Sequence, residues 1–274
     1  MRQLKLEAVG DKPISDEGRY LSEMGKSYDD KLFWVGRVEP DLVVDFGCAD
    51  GAILAKLVAA RPGVRVVGYD IDDTMLGMAR RTLGQSAELT SDWDEVAGLV
   101  RSSNRPLLML SSVIHEVYSY GTDADVERFW RTQVFGGMFR WVCIRDMIPE
   151  SSVGEPEGFL EDVSLVRAGA DPRLVASFEA RWGSIASDYK TFVHFLLKYR
   201  YVENWAREVD EDYVPLSLDG LRGRIPPSYR VDYEHSYIYD YFSRQVMEDL
   251  GVRIKRTTHT KMILERRGRL AFPT

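Results

Sequence analysis

The sequence is poor in cysteine and histidine, with two and four among its 274 residues, and it has no long hydrophobic run. No apolar segment approaches the roughly 18 residues of a membrane-spanning helix, and none follows the first residues, so neither a membrane span nor a secretory signal is expected. Cys48 and Cys143 fall in predicted core positions, which argues against a disulfide and favours a reducing, cytoplasmic location. The hydrophobic fraction of 45% is typical of a soluble globular protein.

Positive charge is not in excess either, because 36 Lys and Arg stand against 43 Asp and Glu, for a net charge of −7. A broad nucleic-acid footprint normally needs a basic face, so this balance argues weakly against one and leaves a local basic patch open. A chain of this length is either one large domain or one domain with a substantial insertion.

Residues 42–80 have the clearest pattern: a buried strand, a glycine turn, a helix and a second strand. The first strand is apolar except for Asp45, and the turn Gly47-Cys48-Ala49-Asp50-Gly51 follows it. Asp70 stands at the carboxyl end of the second strand. In such a sheet a cofactor binds in the crevice at the strand ends, beside a helix N-terminus.

The glycine spacing distinguishes between cofactors. A dinucleotide site requires G-x-G-x-x-G, in which the helix start faces a pyrophosphate. The spacing Gly47-x-Ala49-x-Gly51 is one residue too short, and negative charge at Asp45 and Asp50 suits a ligand with an ammonium and a sulfonium. A nicotinamide-dependent oxidoreductase is therefore the least favoured function.

The stretch resembles the first two motifs of the class I S-adenosylmethionine (SAM) methyltransferases. The first motif, usually written D/E-x-G-x-G-x-G, is matched by residues 45–51, with Ala49 in place of the middle glycine. The second motif is matched by Gly68-Tyr69-Asp70-Ile71-Asp72. The resemblance covers residues 1–150 and 235–268, and outside these motifs it depends on position alone. A generic strand, turn and helix of an α/β protein is the alternative.

The resemblance implies an α/β fold with a mostly parallel Rossmann-like sheet, an antiparallel C-terminal strand and a helical lid insertion. It implies four parts, which are an N-terminal helical cover at 1–40, a SAM-binding core at 41–150, a helical, aromatic-rich lid insertion at 151–235, and a final helix and β-hairpin at 236–274.

The resemblance also implies the residues that hold SAM. Asp70 is expected to accept from the ribose hydroxyls, Asp92 from the adenine amine, and Trp93 to lie against the ring. Helix capping and a surface position explain Asp92 and Trp93 equally well. The full set expected at the cofactor is Asp45, Gly47, Cys48, Ala49, Gly51, Asp70, Ile71, Asp92, Trp93, Ser111 and Ser112.

A segment before the first strand often covers the SAM site in this family. Residues 20–38 are partly helical in pattern, and Tyr28, Lys31 and Trp34 are candidates to close over the cofactor, with plain packing as the preferred interpretation. The residues at helical spacing are Tyr20, Leu21, Met24, Tyr28, Leu32 and Phe33.

His115 and Glu116 follow an apolar run, residues 106–114, of fourth-strand type. In the resembled fold the carboxyl end of this strand points at the transferred methyl group. His115, with an ordinary pKa near 6.5, is the candidate base and Glu116 the residue that orients it. A histidine bonded to backbone at a strand end is the alternative.

Arg145 and Asp146 interrupt the apolar fifth strand, predicted over 139–148. Such charges imply a pair, a ligand or both. Both are candidates for the substrate site, where Arg145 would hold an acidic group; a buried structural pair is the alternative. No metal site is predicted.

Residues 154–227 form a segment that is too long for an ordinary connection between a strand and the next helix. Nine of the fourteen tyrosines lie between Tyr189 and Tyr241, which suggests an aromatic roof over a substrate pocket. One long amphipathic helix is predicted from the spacing of Phe178, Trp182, Ile185, Tyr189, Phe192, Leu196 and Tyr199.

A final hairpin is predicted after the last helix, with residues 252–257 and 261–265 as its two strands.

These observations predict a SAM-dependent methyltransferase that acts on oxygen or nitrogen of a small molecule. The alternatives are an RNA methyltransferase and a SAM-binding partner protein without turnover. The sequence lacks the Asn/Asp-Pro-Pro-Tyr/Phe tetrad of many amino-methylating DNA and protein enzymes, which weakens that subgroup. The oligomeric state is left open.

Overall fold

A computed structural model of the protein describes residues 28–151 and 154–271, with seven strands among them. The predicted helical positions Tyr20, Leu21 and Met24 lie outside the described residues. The strands are β1 (Leu42–Phe46), β2 (Arg65–Tyr69), β3 (Glu88–Thr90), β4 (Pro106–Ser111), β5 (Trp141–Asp146), β6 (Tyr229–Tyr237) and β7 (His259–Arg266).

The strands form one sheet in the order β3-β2-β1-β4-β5-β7-β6. β1 to β5 are parallel, and β7 runs antiparallel between β5 and β6. The mostly parallel Rossmann-like sheet with an antiparallel C-terminal strand is therefore confirmed. β1 and β4 are buried along their whole length, which explains their continuous apolar sequence, since helices cover both faces of such a sheet.

Twelve α-helices are described; the sixth continues into a π-helical turn, Phe129–Val134, and a 3₁₀ turn, Val202–Asn204, precedes the tenth. They are α1 (Tyr28–Lys31), α2 (Ala52–Ala60), α3 (Asp73–Leu83), α4 (Trp93–Val100), α5 (Ile114–Tyr120), α6 (Asp123–Arg128), α7 (Phe159–Gly169), α8 (Pro172–Trp182), α9 (Tyr189–Tyr199), α10 (Trp205–Glu208), α11 (Leu218–Arg224) and α12 (Asp240–Leu250).

Three hydrophobic clusters hold these elements together. Val44 of β1 contributes to the cluster on one face of the sheet and its neighbour Val43 to the cluster on the other, as strand alternation requires. The third cluster joins the inserted helices to α12, through Phe178, Phe192 and Phe242. The insertion therefore has its own core and is anchored on the last helix.

The prediction of one long helix through residues 178–199 is wrong. α8 ends at Gly183, which has a left-handed φ of 89°, and α9 begins after Asp188, whose side chain accepts from the Thr191 N–H. The apolar spacing continues across the break because both helices bury the same kind of stripe. Glycine and a capping aspartate were the signals for two helices.

The predicted terminal hairpin is wrong in its first strand. β7 pairs with β6, which precedes α12, and residues 252–257 are not a strand. β6 is an edge strand with mostly exposed or half-buried residues, so it lacks the apolar run that marks a central strand. The predicted end of the insertion at residue 235 falls inside β6.

Candidate active site

The first cavity lies at the carboxyl ends of β1, β2 and β4, with about 1260 Å³ of empty space that includes its mouth. Its walls are the glycine turn at 47–50, residues 69–72 after β2, residues 111–113 after β4, and side chains from α5 and the π-helical turn. The predicted cofactor residues Gly47, Cys48, Ala49, Asp70, Ile71, Ser111 and Ser112 all line it.

Two glycines of the turn are required by close approach as well as by backbone conformation. Gly47 has φ 77°, and a Cβ there would lie 2.8 Å from Val113 Cγ2. Gly51, which precedes α2, has φ 76°, and a Cβ there would lie 2.6 Å from Leu83 Cδ1. Gly51 does not line the first cavity and lets α2 start against α3, while its contact with the cofactor stays a prediction.

Ala49 stands where the resembled motif has its middle glycine, and its backbone is left-handed, with φ 47°. Its N–H donates to Asp70 Oδ2 at 2.8 Å. This conformation is unfavourable for a residue with a Cβ. Backbone strain therefore explains why the motif usually has glycine at this position.

We expect Ala49→Gly to raise the free energy of unfolding by about 0.5–1 kcal/mol, because relief of the left-handed strain outweighs the entropy that glycine loses on folding. Ala55→Gly, inside α2, is the matched control and should lower it by about 1 kcal/mol. Urea unfolding of both variants measures the difference. Equal destabilisation by the two changes would show that Ala49 is not strained.

Asp70 connects the glycine turn with the residues after β2 at the first cavity. One carboxylate oxygen accepts from the Ala49 N–H, and the other accepts from the Asp72 N–H at 2.9 Å. Burial raises the pKa of Asp70, against the opposing effect of these N–H groups. Each oxygen can accept a further hydrogen bond, so Asp70 is able to bind hydroxyl groups in the cavity.

Asp45 does not line the first cavity, and its direct contact with the cofactor stays a prediction. It is 1% exposed, and its Oδ2 has no hydrogen-bond partner among the described residues. Burial and the nearby Asp70 raise its pKa to about 8, against the pull of Lys31. Lys31 does line the cavity, and burial, with the nearby Arg145, lowers its pKa to about 8.

Asp92 and Trp93 do not line the first cavity, and their roles at adenine stay predictions. Asp92 caps α4 by accepting from the Asp94 N–H at 2.8 Å. Trp93 packs against Tyr69 and Phe46, with ring centroids 5.1 and 5.5 Å away. The capping interpretation is correct for Asp92, and the aromatic ring is part of the core.

Gln133 is a residue of the first cavity that the sequence interpretation missed. It lies on the π-helical turn, is 3% exposed, and its Oε1 has no partner among the described residues. The signal was present, because Gln133 follows Trp130 by three residues and Phe129 by four, on the buried stripe. A polar residue on that stripe indicates a ligand or a buried partner.

The second cavity adjoins the first, with about 640 Å³ of empty space. Lys31, Ser112 and Glu116 line both cavities, so these residues mark where the two meet. The second cavity is completed by residues from α5, β5, the inserted segment and β7, which include His115, Arg145, Arg200, Tyr201, Tyr213 and His259. Trp34, predicted as a possible cover, is instead 1% exposed in the core.

His115 lies on α5 and is oriented by Asp146, not by Glu116 as predicted. Its Nδ1 is 3.0 Å from Asp146 Oδ1, and its ring lines the second cavity. Burial alone would lower the pKa of His115, but Asp146 outweighs it and raises the pKa to about 9. His115 is therefore protonated at neutral pH. The predicted fourth strand ends at Ser111, three residues earlier than expected.

Asp146 lines neither cavity and is bonded to groups of the protein, while its contact with the substrate stays a prediction. One carboxylate oxygen accepts from the N–H groups of Val113 and Ile114 at 3.0 and 2.8 Å. The other accepts from the Met147 N–H and faces His115. Asp146 is 1% exposed, and its carboxylate holds the start of α5 in place.

Glu116 lines both cavities, one residue after His115 on α5. Burial raises its pKa to about 7, with a further contribution from Glu211 and opposing ones from His115 and Arg207. A carboxylate that titrates near neutral pH at the junction of two cavities is suited to accept or donate a proton there.

Arg145 lines the second cavity and is tied to the protein on two of its nitrogens. Its Nε donates to Asp30 Oδ2 at 2.7 Å and to Tyr237 Oη at 3.2 Å, and its Nη1 donates to Ser112 Oγ at 3.0 Å. Its Nη2 has no partner among the described residues. The buried-pair alternative is thus correct for Nε and Nη1 of the guanidinium, whereas Nη2 has no hydrogen-bond partner within the described part of the chain.

The described ranges, 28–151 and 154–271, contain no helix that is long and apolar enough to cross a membrane. Within the same ranges no group of three or more His, Cys, Asp or Glu side chains is arranged to hold a metal ion. Cys48 and Cys143 are both buried and free.

No protein family model matches the sequence, and no curated protein does. Three solved structures similar to this chain are methyltransferases or biosynthetic proteins. The plantazolicin methyltransferase BamL, in complex with a substrate analogue and SAH, is 10% identical, with coverage of 90% of this chain and 91% of that chain and a TM-score of 0.45. The pyocyanin biosynthetic protein PhzM is 15% identical (93% and 60%, TM-score 0.48).

The third, the mitomycin 7-O-methyltransferase MmcR, is 14% identical, with coverage of 92% of this chain and 59% of that chain and a TM-score of 0.46. Likeness at this level concerns the general path of the chain and leaves the reaction and the substrate open.

Proposed function

We propose that this protein is a SAM-dependent methyltransferase that acts on oxygen or nitrogen of a small molecule. The observation that carries the proposal is the pairing of the glycine turn with Asp70 at one cavity, which meets a second, partly enclosed cavity at Glu116. An enclosed second cavity and a net charge of −7 support a small molecule over a nucleic acid.

The residues of the first cavity fit SAM. The turn at Gly47 would pass close to the methionine part, Asp70 would accept from the ribose hydroxyls, and Gln133 would accept from the adenine amine. Ser111 Oγ is buried and has no partner among the described residues, so it is a further group able to bind the cofactor. When bound, SAM supplies an electrophilic methyl group.

The protein would supply position and a dry environment for the transfer. Lys31, Ser112 and Glu116 surround the junction where the acceptor atom would approach. Arg207 and Tyr213 extend from the inserted segment to the two cavities, which supports its interpretation as a roof. Exclusion of water and alignment of the reacting atoms are the main sources of rate in such a transfer.

We expect SAM and its demethylated product to bind at micromolar strength, whereas reduced nicotinamide cofactors do not bind. Asp70→Asn should weaken SAM binding by about tenfold or more, because an amide nitrogen replaces one acceptor oxygen. Calorimetry with each ligand measures this, and Asp92→Asn, in a cap outside the cavity, is the control. Binding of the nicotinamide cofactor without SAM would overturn the proposal.

Gln133→Leu should weaken SAM binding by about fivefold to tenfold, the size of one lost hydrogen bond. The free energy of unfolding should not fall, because the change removes a buried polar group that has no partner. Gln245→Leu is the matched control, since Gln245 Oε1 is also buried without a partner among the described residues and lines neither cavity. Equal affinity in the two variants would remove Gln133 from the adenine site.

His115 and Glu116 are the two candidates for the base, and the pH dependence of turnover separates them. Because Glu116 has a pKa of about 7 and lines both cavities, we expect turnover to rise with pH and to reach half of its maximum near pH 7. Glu116→Gln should lower turnover by roughly a hundredfold, a usual size for general-base effects, with SAM affinity retained.

Half-maximal turnover near pH 9 would instead assign the base to His115, whose pKa is about 9. In that case His115→Gln should lose the turnover that Glu116→Gln keeps. Normal turnover in both folded, SAM-binding variants would leave positioning as the mechanism.

A further inference from the structure

We infer that the second cavity binds a carboxylate group of the substrate between the guanidinium groups of Arg145 and Arg200. This inference deepens the proposed function, since it specifies the methyl acceptor as a small carboxylic acid. The cavity itself and the two arginines that line it do not depend on the identity of the cofactor.

Arg145 is 4% exposed and held rigidly by its bonds to Asp30, Tyr237 and Ser112. Its Nη2 is buried and has no hydrogen-bond partner within the described part of the chain. A buried cationic donor without a partner destabilises the folded protein. Such a group at a cavity wall indicates that an acceptor is supplied by a ligand.

Arg200 approaches the same cavity from the end of α9. Its Nη2 donates to Tyr201 Oη at 3.0 Å, and its guanidinium carbon lies 4.9 Å from the centre of the Tyr201 ring. Its Nε is also buried without a partner among the described residues. Two guanidinium groups from separate elements therefore line one cavity, and each has one buried donor without a partner among the described residues.

The charges around the second cavity favour an anionic ligand. Three cationic side chains, Lys31, Arg145 and Arg200, and two carboxylates, Glu116 and Glu211, line it, while the charge of His115 is matched by Asp146. Asp30, the partner of Arg145, is shared with Lys261. Glu211 is itself paired with Arg207, 3.1 Å away, so positive charge is in excess at the cavity and an anionic ligand would balance it.

The other walls of the cavity are aromatic, with Tyr201, Tyr213, Tyr239 and His259 among the lining residues. Arginine binds carboxylates with a planar, directional fork, and aromatic walls pack against flat apolar bodies. The combination indicates an aromatic acid, with its carboxylate at the arginines and its methyl-accepting atom directed to the junction at Glu116.

Calorimetry with benzoate, benzamide and phenyl phosphate tests this inference, both on the free protein and with S-adenosylhomocysteine present. We expect benzoate to bind about tenfold or more tightly than benzamide, because the amide loses the charge-assisted hydrogen bonds. Phenyl phosphate should bind more weakly than benzoate. Tighter binding of phenyl phosphate, or no preference for benzoate over benzamide in either state, would overturn the inference.

The variants Arg200→Gln and Arg145→Lys should each reduce the preference for benzoate to about threefold or less. Arg200 is half-buried, so its variant is expected to fold even where the Arg145 variant does not. Arg128→Gln is the matched control, because Arg128 Nε is buried without a partner among the described residues, yet Arg128 lines neither cavity. An equal loss in this control would overturn the inference.

If S-adenosylhomocysteine does not bind, the proposed function is contradicted. The preference of the free protein for benzoate over benzamide then still tests the carboxylate site.

Discussion

Four donors converge on the carboxylate of Asp146, and the arrangement of the site depends on them. Two are the backbone N–H groups at the start of α5, one is the Met147 N–H and one is the ring of His115. A helix start leaves N–H groups without partners, and a buried carboxylate is stable only when it is paired. Each therefore satisfies the other. Through this contact β5 fixes the helix whose Val113, Glu116 and Val117 line the first cavity.

Buried polar atoms without partners are concentrated around the two cavities. Ser111 and Gln133 have such atoms at the first cavity, and Arg145 and Arg200 have them at the second. Since folded proteins leave few buried polar groups without partners, this distribution supports the proposal that ligands supply the missing hydrogen bonds at the two cavities. Without a ligand, these unpartnered groups make the proposed site less stable than the surrounding core.

The parts of the site predicted from sequence are those formed by neighbouring residues. The glycine turn and Asp70 are set by a strand, a turn and the next strand end, so their spacing along the chain predicts their contact. Asp146 and His115 are 31 residues apart, and only the pairing of β4 with β5 brings them together. β6 was missed because an edge strand exposes most of its residues, and its tyrosines suggested a lid.

The central claim, that the first cavity holds SAM and the second the acceptor, is tested most directly by hydrogen exchange with and without S-adenosylhomocysteine. The account predicts slower exchange in residues 46–53, 69–75 and 129–135 on binding, because these segments form the walls of the first cavity. Exchange in α8 (Pro172–Trp182), which lines neither cavity, should stay unchanged. Protection confined to the inserted helices, with none in the glycine turn or after β2, would contradict the assignment.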